Sequence, residues 1–209
     1  MTRGILIAGN NSPLLTALAE EAARRVEHFV ATFIPDQSDK TLTVSSAEML
    51  NWNPGSPIAA RTLLLGAENR LGQVNEAILV CAPPRLCPEH LDSKKIENLV
   101  SDHIKGWLLL VKELTAAFRA RKTGTLAMVL SKPAEDLLAP VASAAFQAFA
   151  QGLLITATSE PFQTIGFSPP DNGDEASFAA FIFKIIDEGN KKNNGRWQRY
   201  GKLFPSKLF

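Results

Sequence analysis

Short apolar runs and longer amphipathic stretches take turns along the whole of this chain. Residues 5–8 form a first apolar run of strand type, which passes through Gly9 into a stretch where Leu15, Leu18, Ala22 and Val26 recur at helical spacing. The polar side of that helix offers Glu20 to Arg24 and Glu21 to Arg25, one turn apart. Runs at 29–34, 77–81, 125–130, 164–167 and 196–203 read as further strands, and 41–44 as a short additional one. Helices are predicted over 57–71, 94–121, 141–158 and 178–188. The first of these has Ser56 as its cap and Pro57 in its opening turn. Prolines at 35, 83, 84 and 133 close the strands before them.

Strands that alternate with helices need crossover connections, and these build a parallel sheet covered on both faces. The expected fold is therefore α/β: a doubly wound, three-layer, Rossmann-like sandwich. It is expected as a single domain over 1–209, with 190–209 as a basic C-terminal strand and tail.

Composition agrees with this picture and adds an asymmetry. The chain has 209 residues, 45% of them hydrophobic and 21% charged, which is ordinary for a globular domain of one core. No uninterrupted apolar run reaches membrane-spanning length, and no membrane partner is expected. The N-terminal apolar run is too short for a signal peptide, and two cysteines make no disulfide framework, so a cytoplasmic location is expected. The formal net charge of +1 conceals six Lys/Arg and no acid after residue 189, against 16 basic and 21 acidic residues before it. Aromatic residues interleave that basic end, but one short stretch on an otherwise acidic body would repel phosphates, and no nucleic-acid partner is expected. Cys81, Cys87 and His90 have a metal-like spacing. A structural zinc needs four ligands, no fourth stands nearby, and no metal is expected.

Several local motifs in their order resemble the short-chain dehydrogenase/reductase family. "AGNNSPLL" (8–15) is similar to the family's Thr-Gly-x-x-x-Gly-x-Gly opening, and "CAPP" (81–84) falls where the family has Asn-Asn-Ala-Gly. "HIKGWLLL" (103–110) resembles the Asn-x-x-Gly start of the long interface helix, with Gly106 kept and His103 in place of asparagine. Ser131 falls on the catalytic serine at the end of its strand. "SAAFQAFAQGL" (143–153) resembles the Tyr-x-x-x-Lys helix, with Ser143 in place of the tyrosine and Gln147 in place of the lysine.

The resemblance implies a reductase that has lost its acid–base pair. In the family the tyrosine handles the proton while hydride passes to or from nicotinamide, and the lysine lowers the tyrosine's pKa. Ser131 alone survives of that set. A serine and a glutamine at 143 and 147 have no titration near neutral pH. Ser131 with Lys132 and His103 also suggests a substitute nucleophile and base, but no Gly-x-Ser-x-Gly elbow supports it.

The family's cofactor positions fall on Gly9, Asn11, Ser12, Leu14 and Ala82. Ser12-Pro13 makes a good helix start, yet proline removes one amide and Leu15 puts bulk where a glycine would stand. The amide of Leu14 with Asn10, Asn11 and Ser12 could still hold an anion. No acid closes the second strand, since Asp36 comes beyond Pro35. The expectation is a catalytically degenerate, oligomerising or ligand-sensing scaffold without a cofactor. The alternative is an oxidoreductase using NAD or NADP through a displaced site. Helices 94–121 and 141–158 are apolar on more than one side, which predicts a homodimer or homotetramer through them.

Overall fold

The computed structural model describes residues 3–25, 28–33, 48–83, 92–132, 139–169 and 174–201. Seven parallel strands form one sheet in the order β3-β2-β1-β4-β5-β6-β7. They are β1 (Ile5–Gly9), β2 (Phe29–Phe33), β3 (Glu48–Asn51), β4 (Glu76–Cys81), β5 (Thr125–Leu130), β6 (Gln163–Ser168) and β7 (Arg196–Arg199). The helices between them are α1 (Pro13–Arg25), α2 (Pro57–Leu71), α3 (Ser93–Val100), α4 (Gly106–Arg121), α5 (Ala139–Thr156) and α6 (Glu175–Asp187). This is the doubly wound α/β sandwich the pattern predicts.

The central strands are apolar along nearly their whole length because both of their faces are covered. Leu6, Ala8, Ala77, Leu79, Leu126 and Met128 enter one core, beneath α2, α4 and α5. Their neighbours Ile5, Ile7, Ile78, Val80, Ala127 and Val129 enter the other, beneath α1 and α6. The period of two along each strand thus deals side chains to opposite layers.

Helix ends follow the sequence closely. Ser56 accepts from the Ala59 amide at 3.4 Å, Asp92 from Lys95 at 2.8 Å and Asp174 from Ser177 at 2.6 Å. The Asp174 cap starts α6 at Glu175, three residues before the predicted start at 178. On α1, Arg25 pairs with Glu21, whereas Arg24 also turns to Glu21 rather than to the Glu20 carboxylate.

Three other elements depart from expectation. The predicted strand 41–44 lies outside the described residues, and the third strand is Glu48–Asn51, an edge strand half exposed at its middle. The last strand is described over Arg196–Arg199 only. The long helix predicted over 94–121 is continuous in direction but contains a π-helical turn, Ser101–Lys105, between α3 and α4.

Two glycines fix how layers meet. A Cβ on Gly106 would come within 2.4 Å of Pro54, so the start of α4 lies directly on the turn after β3. A Cβ on Gly166 would fall 1.4 Å from the Trp197 ring, which β7 lays over β6 at the paired position. We expect Gly166→Ala to expel the Trp197 ring and Gly106→Ala to part α4 from Pro54, each at about 2 kcal/mol or more. Urea denaturation followed by tryptophan fluorescence checks both, and a midpoint unchanged in either variant contradicts the corresponding contact.

Candidate functional site

The carboxyl ends of β1 and β4 are neighbours, while the connections from them leave to opposite faces of the sheet. The crevice of a doubly wound fold opens at such a point. Gly9 ends β1 there, opposite Val80 of β4. A Cβ on Gly9 would stand 2.9 Å from the Val80 carbonyl oxygen and 3.2 Å from Cδ1 of Leu15. Leu15 is fully buried, so its side chain lies against the glycine. The buried Thr32 of β2 engages the same residue twice: its hydroxyl accepts from the Gly9 amide at 3.0 Å and donates to the Gly9 carbonyl at 3.1 Å.

The first turn of α1 is similarly occupied. Ser12 Oγ accepts from the Leu15 amide at 3.2 Å, and the Ser12 carbonyl accepts from Thr16 at 3.0 Å. Pro13 brings no amide. Of the first three helical positions, the Leu14 amide alone is neither lost to proline nor bound by Ser12. Leu14 itself is buried, and Asn11 and Ser12 are half-buried at the rim.

Asn10 turns inward. It is 2% exposed, and its amide nitrogen lies 3.4 Å from the carbonyl of Ala82, to which it donates. The same nitrogen lies 3.2 Å from Nε2 of His103. It also lies 3.5 Å from Nδ1, so in the neutral ring whichever of the two nitrogens is unprotonated accepts from the amide. His103 sits in the π-helical turn, where the Gly106 amide reaches back to the Ser101 carbonyl, and is 2% exposed. Burial holds its pKa down to about 4, and the ring is neutral at pH 7.

Ser131 follows β5, and its amide donates to the Cys81 carbonyl at 3.0 Å, continuing the ladder between β4 and β5. It is buried, and its hydroxyl makes a long contact of 3.5 Å with the neighbouring Lys132 carbonyl. The contacts described for His103 go to Asn10, and no Ser131–His103 hydrogen bond is formed among the described residues. Ser143 and Gln147 lie one turn apart on α5, both half-buried, and Ser143 Oγ has no partner among the described residues. Cys81 is a core residue whose thiol burial pushes up to about 12, a poor metal ligand. Cys87 and His90 lie outside the described residues.

The fold therefore brings Gly9, Asn10, Ala82 and His103 together, with Ser131 on the next strand. Sequence reasoning missed Thr32 and the inward turn of Asn10. The available signal for the first was a lone polar residue within the apolar "FVATF" of β2.

No protein-family model and no curated protein matches this chain. Solved structures do. A citronellol catabolism dehydrogenase of Pseudomonas aeruginosa PAO1 superposes with a TM-score of 0.74 at 15% identity, over 94% of this chain and 92% of that one. A short-chain dehydrogenase of Streptomyces avermitilis superposes with a TM-score of 0.73 at 17% identity, over 96% and 89%. The chain has the short-chain dehydrogenase fold. At that identity the likeness extends to the fold, and the chemistry has to be argued from the residues.

The buried histidine sets a pH dependence. Its folded pKa of about 4 lies below its ordinary 6.5, so between these values the unfolded chain binds a proton that the folded chain refuses. Stability is thus full above pH 6.5 and falls as the pH drops towards 4, by an upper bound on the order of 3 kcal/mol. Partial burial raises the Asp102 pKa, and that residue works in the opposite direction. We expect His103→Asn to flatten the acid limb of urea midpoints measured from pH 7 to 4.5. Parallel curves for parent and variant contradict the assignment.

Proposed function

We propose that this short-chain dehydrogenase fold has given up hydride transfer and serves as an oligomerising or ligand-sensing scaffold in the cytoplasm. The observation that carries this reading is the packing at Gly9. Leu15 lies against it, Thr32 engages its backbone, and Ser12 and Pro13 leave the first turn of α1 little to offer a pyrophosphate. Ser143 and Gln147 support it from the chemical side, since neither can exchange a proton with a carbonyl near neutral pH.

Assembly is proposed through α4 and α5. Only 28% of the most apolar stretch of the helical segment Ala139–Ser159 is buried within the chain, and by length and composition that segment would also suffice to cross a membrane. Its buried stripe of Ala142, Phe146, Ala150 and Leu154 packs inward, so the helix belongs to the sandwich. The outward stripe runs Val141, Ala144, Ala148, Gly152 and Ile155. Small residues at four-residue spacing admit a second helix closely, and a Cβ on Gly152 would meet nothing within 4 Å in this chain. Leu108 of α4 is 46% exposed and extends the apolar surface.

Titration of NADH and NADPH against tryptophan fluorescence tests the loss of the cofactor. The expected result is no saturable quenching below millimolar, together with no turnover on simple ketones. Saturable binding with turnover would establish the oxidoreductase alternative, with its acid–base group displaced. Sedimentation velocity tests assembly. The parent is expected as a dimer or tetramer, and Gly152→Leu or Ile155→Glu as a folded monomer whose far-UV circular dichroism matches the parent's. A monomeric parent overturns this part of the proposal.

A further inference from the structure

The sheet has a second rim, at the amino ends of its strands, and a cavity of about 660 Å³ opens there. Glu76, Thr125 and Gln163 pair in register on β4, β5 and β6, so their side chains leave one face of the sheet in a single row. It is the face that α6 covers. Two residues further along, the same strands send Ile78, Ala127 and Ile165 into the core beneath that helix. The core therefore ends in a polar row, and all three of its members line the cavity. The chain leaving α4, at Thr123 and Gly124, the turn after α5, at Thr158, and the end of α6, at Gly189, complete the wall.

Hydrogen bonds between these segments hold the wall in place. The Thr125 amide donates to the Asn75 carbonyl at 3.0 Å, the Gln163 amide to the Gly124 carbonyl at 2.9 Å, and the Thr164 amide to Asn194 Oδ1 at 2.8 Å. The carboxylates in the wall are already neutralised. Arg3 takes both oxygens of Glu76, and Arg119 takes both oxygens of Glu160. What remains is uncharged and able to donate or accept. The hydroxyls of Thr123 and Thr125 are not engaged among the described residues. Asn75 Oδ1 accepts from the Gly4 amide at 2.8 Å, which leaves Nδ2 to donate, and Gln163 uses Nε2 on the Gly189 carbonyl at 3.4 Å, which leaves Oε1 to accept.

We infer that this cavity is a binding site for a small uncharged polyhydroxylated molecule, a sugar or polyol. Its volume falls within the range of ligand pockets, about 300–1,000 Å³. Hydroxyls on successive carbons each donate and accept, which matches a wall where hydroxyl, amide nitrogen and amide oxygen stand side by side. Charge of either sign is disfavoured. The carbonyl ends of α4 and α6 face this rim and oppose an anion. Lys191, exposed at the mouth, and the guanidinium groups of Arg3 and Arg119 behind the carboxylates oppose a cation. The inference does not depend on the dinucleotide question, since Gly9 stands at the other end of the strands.

The test uses the full chain and its backbone amide resonances at pH 7. Glucose is titrated as the neutral probe, with glucosamine and glucuronate as cationic and anionic forms of the same ring. Expected are saturable shifts at Gly124, Thr125 and Gln163 with a static Gly9, and affinity about threefold or more weaker for each charged ring. Removing one hydroxyl, in Thr125→Val or in the exposed Thr123→Val, is expected to weaken glucose about fivefold, the worth of one hydrogen bond. Shifts that are absent, that rise linearly without saturating, or that move Gly9 equally overturn the site. So does a charged ring that binds as tightly as glucose, and so do two folded variants that both bind glucose like the parent.

Discussion

A backbone without a side chain at Gly9 is the constraint around which the upper edge of this sheet is built. β1 is an inner strand at the point where the winding reverses, so β2 and β4 crowd it from both sides. The Val80 carbonyl and the Leu15 side chain both stand where a Cβ would have to go. Once that space is shared between a neighbouring strand and the following helix, the direction in which α1 leaves is settled. Thr32 then closes the arrangement by holding both polar groups of the Gly9 backbone. A glycine here is required by packing within the chain, whether or not anything binds above it.

The opposite edge is held by charge as well as by close approach, since a Cβ on Gly4 would stand 2.0 Å from the Gln73 carbonyl oxygen. Arg3 grips Glu76 through two nitrogens at 2.8 Å and also reaches Asp187 at 2.6 Å, and Arg25 meets Asp187 from α1. The network joins the entry to β1 with β4, α1 and α6. Its members are partly solvated, so its energetic return is modest. Its effect is to fix the lower ends of two helices on one face. The architecture is therefore rigid by apolar burial at the centre and by directional contacts at the rims, and the candidate site sits on the rim where those contacts involve polar groups with few partners.

Fold class was legible because a parallel sheet buried on both faces writes itself as near-continuous apolar runs, and those of β1, β4 and β5 are of that kind. The edge strand Glu48–Asn51 was not legible. An edge strand exposed at both ends carries no such run, and "EMLN" has no β-branched residue. The π-helical turn "SDHIK" was hidden for a different reason: it contains no glycine or proline to mark it. It arises among tertiary contacts, the seat of Gly106 on Pro54 and the burial of His103 against Asn10. The candidate site was legible only in outline. Ser131, Ser143 and His103 could be placed on their elements from local motifs, but the pairing of His103 with Asn10 joins residues 93 apart, a separation that local patterns do not encode.

These glycines and caps separate two kinds of requirement that a resemblance to an enzyme family runs together. Gly9, Gly106 and the Ser12 cap answer to Val80, Pro54 and the Leu15 amide, and those demands come from the chain itself. Positions 143 and 147 have no comparable structural duty. They are half-buried on a helix whose inward stripe is made by other residues, so the fold tolerates serine and glutamine there. A chain can therefore keep every feature by which the sandwich assembles while the residues at 143 and 147 vary. Where chemistry is not retained, the polar groups left near the site must find other partners or cost free energy. Asn10 and His103 found each other, whereas the indole of Trp107 and the hydroxyl of Ser143 have no partner among the described residues.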